Sequence, residues 1–187
     1  MTRAETYLLE HLKRIPHGEW LPGGIAEFQV RENFVGEFGF AILTAHMIDV
    51  LKRFSPIIEV GSGKGYWASE LKGAGVDVVA TDPGIHKRPA WKKPFTDIVP
   101  MNGEAAVAQY PGRTLLMVWP DYNLDWPVRT LKAYAGGRVI YVGEGHGGCT
   151  ADDAFHELLD KEWELQLSVK TPQFSCIHDR TEIWRRL

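Results

Sequence analysis

Ile57-Ile58-Glu59-Val60-Gly61-Ser62-Gly63-Lys64-Gly65-Tyr66 is the stretch whose reading decides the fold. A short strand runs into glycines at alternate positions, and Tyr66 to Lys72 then reads as a helix closed by Gly73 and Gly75. Glycines so spaced leave a strand-to-helix bend bare of side chains, where a ligand can lie against main chain and a helix N-terminus. Two common nucleotide loops fail here on single residues. The dinucleotide fingerprint needs glycine at position 66, which is Tyr66. The phosphate loop needs Ser or Thr after Gly63-Lys64, where Gly65 stands.

Outward from this bend, strands and helices alternate. Val76 to Thr81 is a second strand, and Ile98 to Met101 a short third. A helix from Glu104 to Tyr110 ends in the Pro111-Gly112 turn. Thr114 to Trp119 is nearly all apolar, as a strand covered on both faces must be. Asp125 and Pro127 open a further helix that Gly136-Gly137 ends, and Arg138 to Val142 is the fifth strand. Thr150 and Asp153 stand at capping-box spacing before Ala154-Phe155-His156-Glu157-Leu158-Leu159. Leu165 to Val169 and Thr181 to Trp184 have no helical pattern between them, so they predict an antiparallel hairpin.

Residues 1–55 read as an N-terminal helical extension. Leu8, Leu12 and Ile15 form one stripe stopped by Pro16 and Gly18, and a loop follows with Pro22, Gly23 and Gly24. Leu43, Met47, Val50 or Leu51, and Phe54 then repeat at helical spacing. Trp20, Phe28, Phe34, Phe38 and Phe40 exceed what docking one helix requires. They predict core packing first and, second, an apolar cover over a site. Residues 56–187 make the remaining compact unit, an open and mostly parallel sheet with helices on both faces. Such sheets bind ligands at the carboxyl ends of their strands.

Composition excludes other classes. The chain has 187 residues, 44% hydrophobic and 24% charged, which suits one core. With 21 Lys plus Arg against 24 Asp plus Glu, the net charge of −3 argues against non-specific nucleic-acid binding. Seven Trp, eight Phe and six Tyr exclude a disordered chain. No apolar run of about 18 residues predicts a membrane span. The N-terminal residues lack a secretory apolar region. Cys149 and Cys176 are too few for a disulfide framework or a zinc site, so the expectation is a reduced, cytoplasmic protein.

The acidic-x-Gly-x-Gly-x-Gly pattern of Glu59 to Gly65 resembles motif I of the class I S-adenosylmethionine-dependent methyltransferases. Asp82 ends the second strand about 20 residues after Gly61, the distance from which an acid reaches ribose hydroxyls. Asn102-Gly103-Glu104-Ala105 is similar to the family's stretch beside the adenine. The resemblance covers residues 57 to 187. It implies a Rossmann-like, seven-stranded sheet, S-adenosylmethionine (SAM) as cofactor, and residues 1–55 as a substrate lid. It also implies a cofactor set of Glu59, Gly61, Ser62, Gly63, Gly65, Asp82, Glu104 and Trp119. In that set Glu59 pairs with the cofactor's amino group or orients the loop, the glycines line the methionine part, and Asp82 takes the ribose diol.

Trp119-Pro120-Asp121-Tyr122-Asn123 is similar to the Asn/Asp-Pro-Pro-Tyr motif of amino-directed methyltransferases, with Pro120 and Tyr122 in common. Trp119 and Asp121 depart from the motif, which argues against an exocyclic base amine and leaves Asp121 as a candidate base or hydrogen-bond acceptor. The end of the fifth strand, Gly143-Glu144-Gly145-His146-Gly147-Gly148, adds Glu144 as a substrate candidate and His146 as a proton acceptor. Asp121, Tyr122 and His146 are therefore the candidate catalytic residues, with Glu144 and Phe38 facing substrate. No metal-ligand spacing is present. Lys87 to Lys93 places four cations around Trp91, read first as a solvated loop.

The expected activity is methyl transfer to an oxygen or nitrogen of a small molecule. The alternatives are a nucleic-acid or protein N-methyltransferase using the Trp-Pro-Asp-Tyr loop, and a non-catalytic SAM-binding protein.

Overall fold

Strand β1 (Ile57–Val60) is buried along its whole length and lies inside the sheet, second from one edge. It pairs in parallel with β2 (Val78–Thr81) and β3 (Thr114–Val118), and β3 pairs in parallel with β4 (Arg138–Gly143). Beyond β4 lie β6 (Arg180–Arg186) and then β5 (Trp163–Val169), both antiparallel to their neighbours. The computed structural model describes residues 1–18, 25–84 and 93–187. Its sheet order is β2-β1-β3-β4-β6-β5.

The strand period of two divides the core into two layers. Ile57, Leu116, Ile140, Val142 and Ile183 face one side, where they pack on Leu8, Phe34, Met47, Leu51, Trp67 and Leu71. These come from α1 (Arg3–Leu12), α2 (Ile25–Phe38), α3 (Ala45–Leu51) and α4 (Tyr66–Gly73). Ile58, Val60, Leu115, Met117, Val139 and Tyr141 face the other side, against Ala106, Val128, Leu131, Phe155 and Leu159. Those belong to α5 (Gly103–Gln109), α6 (Trp126–Ala133) and α7 (Asp153–Glu162). The N-terminal helices thus share a core with β1.

Among the described residues the sheet has six strands where seven were expected. The predicted third strand at Ile98–Met101 is reduced to a single parallel bridge between Val99 and Thr81. Pro100 follows directly and has no N–H to extend the ladder. Helix α1 stops at Leu12, with Lys13 in the left-handed region (φ 60), rather than running through Ile15 to Pro16. Its start is a capping box in which Thr2 accepts from the Glu5 N–H and Glu5 accepts from the Thr2 N–H. Asp152 caps α7 by accepting from the Phe155 N–H at 2.8 Å. Thr150 instead holds the Glu144 N–H at 2.8 Å. The Pro22 to Gly24 loop, Trp20 and all of the basic run but Lys93 lie outside the described residues.

Candidate functional site

The bend after β1 has the geometry its glycines require. Gly61, Gly63 and Gly65 all have positive φ, at 70°, 55° and 71°. At Gly61 a side chain is also excluded by space, since a Cβ there would stand 2.9 Å from Trp126 Cη2. The bend is fastened to β2. Ser62 N–H donates to Thr81 O at 3.0 Å, and Asp82 accepts from Gly63 N–H at 2.9 Å and Gly84 N–H at 2.7 Å. A carboxylate held by two backbone donors is fixed in place with its remaining lone pairs available to a ligand.

Inside the bend, Glu59 is 1% exposed and accepts from Ala68 N–H at 3.0 Å. Burial pushes its carboxyl up to about 8, against the lowering pull of that bond, and the nearby Asp82 charge adds to the rise. Lys64 turns the other way. Its buried ammonium donates to Glu37 O at 2.7 Å and Gly36 O at 3.2 Å, at the C-terminal end of α2.

A cavity of about 460 Å³ opens over the bend, a volume suited to a small ligand. It extends from Asp82, Pro83 and Gly84 after β2, across Gly61 to Gly63, to Val118 and Trp119 after β3. Val35, Gly36, Phe38, Gly39 and Phe40 wall it from α2 and the residues just beyond, and Asn102 to Glu104, Asp121, Trp126 and Arg129 border it elsewhere.

Of the residues expected to act together, Phe38, Glu59, Gly61, Ser62, Gly63, Asp82, Glu104, Trp119 and Asp121 border this cavity. Gly65 does not: it turns the chain into α4, and a Cβ there would meet Thr96 Cγ2 at 2.9 Å. Tyr122 is 56% exposed and is not among the lining residues. His146 lies on the surface, its Nε2 paired with Asp160 at 2.9 Å. Glu144 is buried but holds up its own loop, accepting from Cys149 N–H at 2.7 Å and His178 N–H at 2.8 Å. Burial opposes its charge, yet these donors outweigh burial and hold the carboxyl below its ordinary value. Of Asp121, Glu144 and His146, Asp121 borders this cavity and the other two do not.

Phe40 borders the cavity as one of the aromatic residues expected to cover a site, whereas Trp126, Arg129 and Lys64 were not anticipated as wall residues. Trp126 and Arg129 carry no local signal, because their places depend on which elements adjoin the bend, and Lys64 lies in the bend itself but takes its partners from the end of α2. Asp121 accepts from Trp126 Nε1–H at 3.1 Å, and Arg129 Nε–H donates to Glu104 Oε1 at 2.7 Å. Every titratable side chain on the cavity wall has a protein partner among the described residues: Glu59, Lys64, Tyr66, Asp82, Glu104, Asp121 and Arg129. Two polar atoms of wall residues are nevertheless buried with no hydrogen bond, Ser62 Oγ and Glu104 Oε2. Such atoms are costly unless a ligand satisfies them.

Comparison with solved structures agrees with the overall fold. The fold is that of SAM-dependent methyltransferases. Magnesium protoporphyrin IX methyltransferase (ChlM) of Synechocystis PCC 6803 superposes with TM-scores of 0.51 in its SAM-bound and 0.53 in its SAH-bound structure, at 12% identity. The match covers 98% of this chain and 95% to 98% of that one. MtNAS in complex with MTA and tNA superposes with a TM-score of 0.51 at 11% identity, over 98% of this chain and 70% of the other. At these identities the likeness is one of fold. No protein-family profile and no curated protein matches the chain. Among the described residues, no helix is long and apolar enough to cross a membrane, and no group of three or more His, Cys, Asp or Glu side chains could hold a metal ion.

Proposed function

We propose that the chain is a SAM-dependent methyltransferase acting on an oxygen or nitrogen nucleophile of a small molecule. The observation that carries this reading is the pair of unsatisfied buried acceptors, Ser62 Oγ and Glu104 Oε2, bordering one cavity whose floor is the bare bend at Gly61 to Gly63. Asp82 would take the ribose hydroxyls with the lone pairs its two backbone donors leave open. Glu104 Oε2 would accept from the adenine amino group, with Arg129 holding the other oxygen in place. Gly61, Ser62 and Gly63 would lie along the methionine part, and Glu59 would orient the bend through Ala68.

When bound, the cofactor supplies a methyl group that the acceptor's lone pair takes as the carbon–sulfur bond breaks, its electrons passing to sulfur. The protein's own part is alignment and exclusion of water. Phe38, Phe40, Val118 and Trp119 form the apolar end of the cavity where the acceptor would meet the methyl. Because each titratable wall residue is already partnered, the wall favours an acceptor that arrives as a free amine or an easily ionised hydroxyl. Asp121 is the expected catalytic residue that borders the cavity and is retained here as a contact to the acceptor. His146 and Tyr122 are given no role. The lid reading narrows to the end of α2 and the residues through Phe40.

Calorimetric titration with SAH, SAM and NAD tests the cofactor reading. SAH and SAM should bind and raise the melting temperature, as linkage requires, and NAD should do neither. No heat with SAH, or a preference for NAD, overturns it.

A further inference from the structure

The apolar end of the cavity holds an aromatic pair that folding alone does not explain. Phe40 is 44% exposed, yet its ring lies flat on the Trp119 indole, with centroids 4.8 Å apart and planes 10° from parallel. Both rings border the cavity. Trp119 is held in a strained place. Its φ of 51° is in the left-handed region that a bulky side chain avoids.

Three attachments keep it there: its N–H donates to Val142 O at 2.7 Å, its Nε1–H donates to Asp179 Oδ1 at 2.7 Å, and its face meets Phe40. Asp179 is itself 3% exposed. Burial pushes its carboxyl up to about 7 in spite of the indole bond, and the Glu144 charge adds to the rise. A buried carboxylate and a strained backbone are both unfavourable. Here they converge on the orientation of one ring at a cavity wall.

Val35, Phe38 and Val118 line the same cavity, as does Asp121, whose carboxylate is engaged by the Trp126 Nε1–H. The ammonium of Lys64 is given to the Gly36 and Glu37 carbonyls. Such a wall discriminates by shape and by π-face rather than by charge. A planar ring can extend the stack, and a puckered ring of equal volume cannot.

We propose that the methyl acceptor is a flat, uncharged aromatic or heteroaromatic molecule bound against the Phe40–Trp119 stack, and that Asp179 is the positioning residue that holds the stack in place. Naming the ring the acceptor rests on the methyl-transfer reading above. The ring site itself does not.

The test uses the full chain, with and without SAH, and two uncharged probes of similar size: flat 2-naphthol and its saturated analogue decahydro-2-naphthol. Binding is read by NMR, through saturation transfer to the probe and the shift of the Trp119 indole N–H resonance. 2-Naphthol should bind about tenfold more tightly than the saturated alcohol, as a stacking contact of this kind implies. Phe40→Ala should remove most of that preference, so that the two alcohols bind within about twofold of each other. Asp179→Ala should move the indole resonance and weaken 2-naphthol, and Asp179→Asn, which keeps an acceptor oxygen, should restore most of the binding. If Asp179→Ala does not fold, Phe40→Ala and Asp179→Asn still carry the test. Equal binding of the two alcohols, or a preference that survives Phe40→Ala, overturns the proposal even where SAH binds. If 2-naphthol binds as expected and SAH does not, the methyl-transfer reading falls and the ring site stands.

Discussion

The buried ammonium of Lys64 donates to the carbonyl of Glu37 at 2.7 Å, tying the glycine bend after β1 to the last turn of α2. The same nitrogen reaches Gly36 O at 3.2 Å. A cation at a helix C-terminus satisfies carbonyls that have no intrahelical partner and opposes the negative end of the dipole. The chain positions that follow, Phe38 to Phe40, wall the cavity. One side chain therefore couples the floor of the site to its cover. Lys64→Met should cost about 1–3 kcal/mol of stability by leaving two carbonyls short of a donor. It should also weaken SAH binding, and calorimetry beside a denaturation curve separates the two effects.

Asp82 holds the bend through Gly63 and is proposed to hold ribose as well. Asp82→Ala should weaken SAH by about 1–3 kcal/mol, while Asp82→Asn should fall between the two because its amide keeps one acceptor oxygen. Unchanged affinity in both variants would remove Asp82 from the site.

At Gly61 two restrictions act together. A Cβ would stand 2.9 Å from Trp126 Cη2, and φ is 70°. Gly61→Ala should therefore lower stability by about 1–2 kcal/mol from the backbone alone and abolish measurable SAH binding. Adding Trp126→Ala should recover part of the stability, because it removes the clash and leaves the φ strain. A double variant no more stable than Gly61→Ala would show that the clash is relieved by local movement.

The raised pKa of Glu59 makes a signed prediction. Its folded value of about 8 lies above the ordinary 4.5, so the stability it contributes is fully present below 4.5 and is lost as pH rises through 8. Melting temperature should decline between pH 5 and 8, and Glu59→Gln, neutral throughout, should show a shallower decline. Parallel curves for the two proteins would count against a protonated Glu59.

His146 provides a negative control. Its ring is on the surface with Asp160, so His146→Ala should leave SAH affinity and 2-naphthol binding within about twofold. The change to stability should also be under about 1 kcal/mol, as for an exposed pair.

Helix α2 shows where sequence patterning loses its force. Phe34 and Phe38 lie one turn apart and are buried, but Phe28 is 59% exposed and Glu27 is 4% exposed. Glu27 accepts from Ser175 N–H, almost 150 positions away. A charged residue inside and an aromatic one outside erase the 3.6-residue stripe on which helix reading depends.

The strand-helix alternation, the bare bend at Gly61 to Gly63 and the acid at Asp82 were all legible in the amino-acid order. Each is set by local rules: side-chain period, backbone freedom at glycine, and the short reach from the end of one strand to the next. Which polar groups meet was decided by tertiary structure. Glu144 turned inward to Cys149 and His178, His146 turned outward to Asp160, Lys64 reached from the bend to the end of α2, and Trp126 and Asp179 came from distant positions to shape the cavity and its aromatic wall. A loop at a strand end can direct a side chain either way. The choice depends on which backbone donors and packed faces the sheet order brings beside it, and no spacing along the chain encodes those neighbours.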